Sequence, residues 1–186
     1  MLVTQSLSAE TIDIEERVEN ATEVIARLAG RLAGRLGADA ATIERAVLNR
    51  ERARTTAFAN GAAIPHCRLS GLSRFGIAVM ILRHPVRWDN EGHAVDTIMM
   101  IAGPAENVSD HLRLLANSSQ MLDSATFRTK LRRAPDGANA YELITVAEQA
   151  VEQRRQETGM LRELHKDSEK TAPGDYLSDA LARFTW

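Results

Sequence analysis

The residues with the most chemistry to offer lie in one stretch, Asn49 to Arg68 (NRERARTTAFANGAAIPHCR). It ends on Ile64-Pro65-His66. An unperturbed imidazole has a pKa of about 6.5, so near neutral pH His66 can act as a nucleophile. Proline fixes its own φ and pushes the preceding residue toward extended geometry. Pro65 is therefore expected to end a strand over Ala62–Ile64 and to leave His66 at its tip, facing solvent. Strand ends served by loops are where α/β proteins keep their reactive groups. Arg50 stands sixteen positions earlier. Its guanidinium stays charged and can hold two oxygens of an anion at once. The same residue also suits the last turn of a helix, where the dipole favours a cation. His111 follows Asn107 and Ser109. If either caps a helix, His111 lies in a first turn whose free N–H groups favour an anion. A plain core or surface role is open to it as well.

Charge is distributed unevenly around His66. No acidic residue lies between Glu51 and Asp89, whereas Arg52, Arg54, Arg68, Arg74, Arg83 and Arg87 do. Gathered on one face, these cations would draw in an anionic partner; scattered by folding, they are ordinary solvated arginines. Cys67 reads as a small buried filler, with a redox handle as the alternative. His66, His84, His93 and His111 are not spaced as metal ligands, and His93, after Gly92, reads as exposed loop. There is no glycine-rich loop with lysine for a nucleotide and no G-x-S-x-G for a hydrolase.

Composition bounds the rest. A chain of 186 residues with 44% apolar and 26% charged residues is that of an ordinary globular protein, long enough for one core and an appendage. A net charge of −2 argues against nucleic acid as a partner. The single cysteine excludes an internal disulfide, and neither a signal peptide nor a membrane-spanning run is visible, so a cytoplasmic protein with no membrane span is expected.

Periodicity supplies the elements that must position these residues. From Glu16 to Leu36, apolar residues at three- and four-residue steps mark one buried helix face. Gly30 and Gly34 on this helix suggest close packing against a sheet, and Gly37 should end it. Asp39 or Thr42 can cap a second helix running to Arg50. Phe75–Leu82 and Ala94–Ala102 are continuous apolar runs, expected as strands covered on both faces. A short separate strand is expected over His84–Asp89, then a turn at Asn90–Gly92. Helices follow at about 106–118, 123–134 and 138–156, broken at Asp136-Gly137. Residues 151–165 should continue helically, Lys166–Gly174 is polar, and Tyr176–Trp186 is a short amphipathic piece that could pack back or make a homo-oligomer contact. The expectation from this pattern is an α/β layer architecture, strands flanked by helices, with a C-terminal helical extension.

The Asn49–Arg68 stretch also resembles the histidine box of enzyme IIA of the phosphoenolpyruvate-dependent sugar phosphotransferase system (PTS), fructose/mannitol/nitrogen-regulatory type. The residues that carry it are Arg50, Glu51, Thr55, Thr56, Asn60, Gly61, Ala63, Ile64, Pro65 and His66, and the likeness continues through Asp110-His111-Leu112 and Tyr141–Ile144. It covers roughly residues 10 to 148. It implies a type-2 IIA domain over 1–150, an α/β fold with a mixed central sheet of about five strands flanked by helices, with 151–186 as a helical extension. It further implies a phosphotransferase component that accepts a phosphoryl group on His66 from an HPr-type protein, with Arg50 as the site arginine and His111 against the active imidazole, hydrogen-bonding the phosphate. No cofactor or metal is needed. The acceptor would be a IIB protein, or a regulated target if the chain is a free-standing nitrogen-regulatory IIA. Where the family carries loop glycines, this sequence has Arg54, Ala57 and Ala59. Alanine disfavours φ > 0, so a IIA-like binding or regulatory module without phosphotransfer is the alternative.

Overall fold

The computed structural model describes residues 1–15 and 17–170, with side chains described as far as Thr158. Met1–Val151 forms one compact unit, and from Glu152 onward the chain belongs to a second. Among the described residues there are five strands and five α-helices. The expectation for Tyr176–Trp186 lies outside the described residues.

β1 (Ile12–Glu15) pairs in parallel with β4 (Gly76–Arg87), which pairs antiparallel with β5 (Ala94–Pro104). The far edge of β5 carries two short parallel strands end to end, β2 (Ala62–Ala63) and β3 (His66–Leu69). The sheet is thus mixed and five-stranded, as expected. β1 was not legible as a strand because IDIE is short and carries two carboxylates.

Strand side chains alternate between faces, and both faces are covered, which explains the unbroken apolar runs. Ile77, Val79, Ile81, Met99 and Ile101 join a core with α3 (Val108–Asp123), α4 (Ala125–Arg132) and the first turns of α5 (Gly137–Lys170). Ala78, Met80, Leu82, Ile98, Met100 and Ala102 face α1 (Ala21–Leu36) and α2 (Ala40–Ala53).

Several expectations are corrected. α1 begins at Ala21, where the Asn20 side chain accepts from the Glu23 N–H at 2.9 Å, leaving Val18 buried ahead of the helix. Gly37 ends it with φ 63°. Gly30 and Gly34 do not pack on the sheet: a Cβ on either would meet nothing within 4 Å, because Leu28, Ala29 and Leu32 occupy the inward face. Asp39 caps α2, which runs on to Ala53. His84–Asp89 is not separate: β4 continues through it to Arg87, with an irregularity between Ile81 and Val86. Pro85, lacking an N–H, sits in that gap in the ladder.

Candidate functional site

Pro65 interrupts the edge strand without ending it. Ala62 pairs with Thr97 and His66 with Ile101, so the register runs unchanged across the gap. The Pro65 carbonyl still accepts from the Ile101 N–H at 3.0 Å. His66 is consequently the first residue of β3, half-buried, and not a solvent-facing tip. Cys67 points to the other face, buried; burial alone pushes its thiol up to about 12, which suits the filler reading.

The local hydrogen bonds fix the protonation of His66. Its Nδ1 lies 2.8 Å from the Ile64 carbonyl oxygen, which can only accept, so the ring proton is on Nδ1. Nε2 then carries the lone pair. The Arg50 Nε–H donates to it at 3.2 Å, while Arg50 Nη1 donates to the Arg54 carbonyl at 2.9 Å. The guanidinium is braced from behind and aimed at the nitrogen that would react. Burial holds the His66 pKa below the usual histidine value, and the cations Arg50 and Arg68 push the same way against the Ile64 carbonyl and Glu51. The ring is therefore neutral and nucleophilic at pH 7.

His111 comes from the other layer. The Asn107 side chain accepts from the Asp110 N–H at 3.2 Å and so caps α3, which places His111 at the end of the first turn. Its ring centroid is 5.3 Å from that of His66, at 58°. Burial, followed by the neighbouring His66, Arg68 and Arg50, takes its pKa down to about 4. Its Nδ1 is buried without a hydrogen-bond partner. The three residues singled out by sequence therefore meet at one cleft of about 390 Å³, lined also by Arg68, Val108, Leu112 and Leu115.

Of the six arginines in the acid-free span, only Arg68 reaches this cleft. It shares the His66 face of β3, two residues on, and donates to the Ala105 carbonyl at 3.0 Å. Arg52 and Arg54 line a separate hollow, Arg83 donates to Ala134 O, and Arg87 to Asp89 O and Asn90 O. The reading of scattered arginines holds for these four. His93 is tied at 2.7 Å to Asp89 and half-buried, not free loop.

Sequence reasoning missed how the loop before β2 is held. The Glu51 carboxylate accepts from Thr56 N, Thr56 Oγ1 and Trp88 Nε1, each at 2.7 Å, and Asp89 accepts from Thr55 Oγ1 at 2.6 Å. Glu51 next to Arg50, with a Thr pair and a Trp-Asp pair downstream, was the available signal. At Arg54, Ala57 and Ala59 no left-handed conformation is required, since no non-glycine residue among the described residues has positive φ. Their replacement of glycine imposes no strain.

No helix among the described residues is long and apolar enough to cross a membrane. The family model for the phosphoenolpyruvate-dependent sugar phosphotransferase system, EIIA 2, matches residues 5–146. A nitrogen regulatory protein of Pseudomonas aeruginosa is 40% identical over 107 residues, covering 57% of this chain and 70% of that protein. The crystal structure of nitrogen regulatory protein IIA-Ntr from Neisseria meningitidis superimposes with a TM-score of 0.71 at 20% identity, over 76% of this chain and 98% of that one. A complex of enzyme IIAMTL and phosphorylated enzyme IIBMTL from Escherichia coli gives 0.63 at 18% identity, over 74% and 96%. On the match over residues 5–146, the chain belongs to the EIIA 2 family of the phosphoenolpyruvate-dependent sugar phosphotransferase system.

Proposed function

We propose that this protein is a phosphohistidine carrier in which His66 Nε2 accepts a phosphoryl group from an HPr-type phosphoprotein. One observation carries the reading: the His66 proton is committed to the Ile64 carbonyl, and the unprotonated Nε2 accepts from a guanidinium 3.2 Å away. In the transfer, the Nε2 lone pair forms the new N–P bond. The donor's N–P bond breaks, and its electron pair returns to the donor imidazole. Phosphoryl transfer depends chiefly on alignment and on cancelling charge at the equatorial oxygens. Arg50 first gives up its hydrogen bond to Nε2, which frees the lone pair for attack, and turns its N–H groups to those oxygens; His111 supplies a neutral neighbour across the cleft.

The similarity to nitrogen regulatory proteins supports the regulatory branch, with a target protein reading the phosphorylation state. The neighbouring complex with a phosphorylated IIB supports a IIB protein as the alternative acceptor. The family match over residues 5–146 supports a IIA domain over 1–150, in a cytoplasmic protein, and residues 151–186 form an extension to it that is helical as far as Lys170. The binding-module alternative rests on the loop replacements and on the C-terminal helix, and the ordinary backbone at Arg54, Ala57 and Ala59 removes the first of these supports.

The test is labelling. Incubated with enzyme I, HPr and phosphoenolpyruvate, the protein should gain one acid-labile, base-stable phosphate, and His66→Ala should gain none. Labelling that persisted in His66→Ala would end the proposal.

A further inference from the structure

Histidines in reactive sites are usually oriented by a hydrogen bond to one ring nitrogen, which sets both rotation and tautomer. His111 lacks that device: the residue is 5% exposed, and its Nδ1 is buried without a partner. Packing must hold the ring instead. Besides His66, one other ring lies against it. Phe75, the residue just before β4 and 4% exposed, stacks on His111 with centroids 6.2 Å apart and planes at 27°. Aromatic pairs favour such an offset arrangement at this separation.

The Phe75 ring fits there only because position 103 has no side chain. A Cβ on Gly103 would fall 2.0 Å from Phe75 Cδ1 and 2.2 Å from Cε1. Gly103 lies on β5, in register with Arg68 of β3. A slot cut into the sheet thus seats one ring, and that ring supports a second.

We propose that Phe75, seated over Gly103, is a positioning residue that fixes the rotation and tautomer of His111. Buried orphan N–H groups are rarer than buried orphan acceptors. Nδ1, buried and with no hydrogen-bond partner among the described residues, therefore keeps its lone pair, and the proton resides on Nε2. The hydrogen bond to the phosphate that the family resemblance implies for His111 would then come from a donor that Phe75 holds in place. This last step rests on the His66 reading above; the orientation of His111 does not.

The experiment uses the full chain and compares Phe75→Leu, Gly103→Ala and, as a control, Phe127→Leu, a buried phenylalanine of the same core on α4. The His111 tautomer is read from its ¹⁵N ring shifts, and phosphoryl acceptance from single-turnover labelling. Wild type should show the Nε2–H form alone. Phe75→Leu, which removes the ring stacked on His111, and Gly103→Ala, which displaces that ring, should each free the imidazole to rotate and give a mixture of tautomers. Each should also slow acceptance about tenfold, since misplacing a positioned group can cost up to about a hundredfold. Phe127→Leu should lose stability without moving either readout. An unchanged His111 spectrum in both site variants, or an equal change in Phe127→Leu, overturns the proposal. The spectrum needs no phosphate, so the proposal stands or falls on it even where His66→Ala still accepts label, a result that would overturn only the carrier reading.

Discussion

Arg50→Met is the sharpest perturbation of the proposed relay. Methionine keeps most of the aliphatic stem and removes only the guanidinium, whose Nε is 3.2 Å from His66 Nε2 and whose Nη1 is braced on Arg54 O. Before transfer the loss is small, because both contacts lie at a half-buried side chain; folding stability should fall by less than about 1 kcal/mol. After transfer the loss is larger. The new N–P bond uses the Nε2 lone pair, and the fork then faces phosphoryl oxygens with two charge-assisted hydrogen bonds. At ~1.5–3 kcal/mol for such a bond, discounted for partial solvent access, the pair stabilises the phosphorylated site by about 3 kcal/mol. That corresponds to roughly a hundredfold in transfer rate. Arg50→Lys keeps the charge but loses the planar fork, and about tenfold is expected. Rapid-quench transfer from labelled phospho-HPr measures both variants, with urea melts alongside. Removing the guanidinium should also raise the His66 pKa, because it is one of the cations holding that pKa down. Arg50→Met accepting phosphate within threefold of wild type, while folded, would refute the reasoning.

Three further outcomes follow from the same geometry. His111 titrates near 4 when folded and near 6.5 when unfolded, so the unfolded chain takes up a proton first as pH falls. Stability should therefore drop from pH 6.5 downward, by about 2 kcal/mol at pH 5, less what solvent access to the ring returns. Urea midpoints at pH 7.5 and pH 5 should diverge less in His111→Gln, and equal divergence would count against it. Glu51→Ala leaves the buried Trp88 indole N–H and the Thr56 N–H without their acceptor. It should cost about 3–5 kcal/mol and speed hydrogen exchange across residues 55–61, with a loss under ~1 kcal/mol as the contrary result. Cys67, with its thiol held near 12, should resist iodoacetamide at pH 8 in the native protein and react at once in urea; native labelling by mass spectrometry would contradict this.

What the sequence made legible was local and periodic: α1 and α2 from their apolar spacing, the two long strands from their unbroken apolar runs, and the cap and stop residues Asp39 and Gly37. The histidine box could be read because its meaning is carried by residue types at fixed offsets along one chain segment. The errors share another cause. Pro65 breaks strand hydrogen bonding locally, but β5 offers His66 the next partner, Ile101, in unchanged register, and tertiary pairing restores what the local rule ends. Gly30 and Gly34 looked like a packing surface because spacing cannot say which side of a helix a neighbour occupies; the leucines had already taken that side. The six arginines failed as a group for the same reason, since sequence proximity to His66 placed only Arg68 in its cleft. Phe75 and Gly103, nearly thirty residues apart, carried no signal. Their relation exists only once β4 and β5 pair and one ring takes the space that the other residue leaves. The residues that meet in this cleft can thus be read from types and offsets, whereas what holds them still is a property of strand register. Substitutions at the register-dependent positions should accordingly change the tautomer of His111 without touching the residues that the histidine box names.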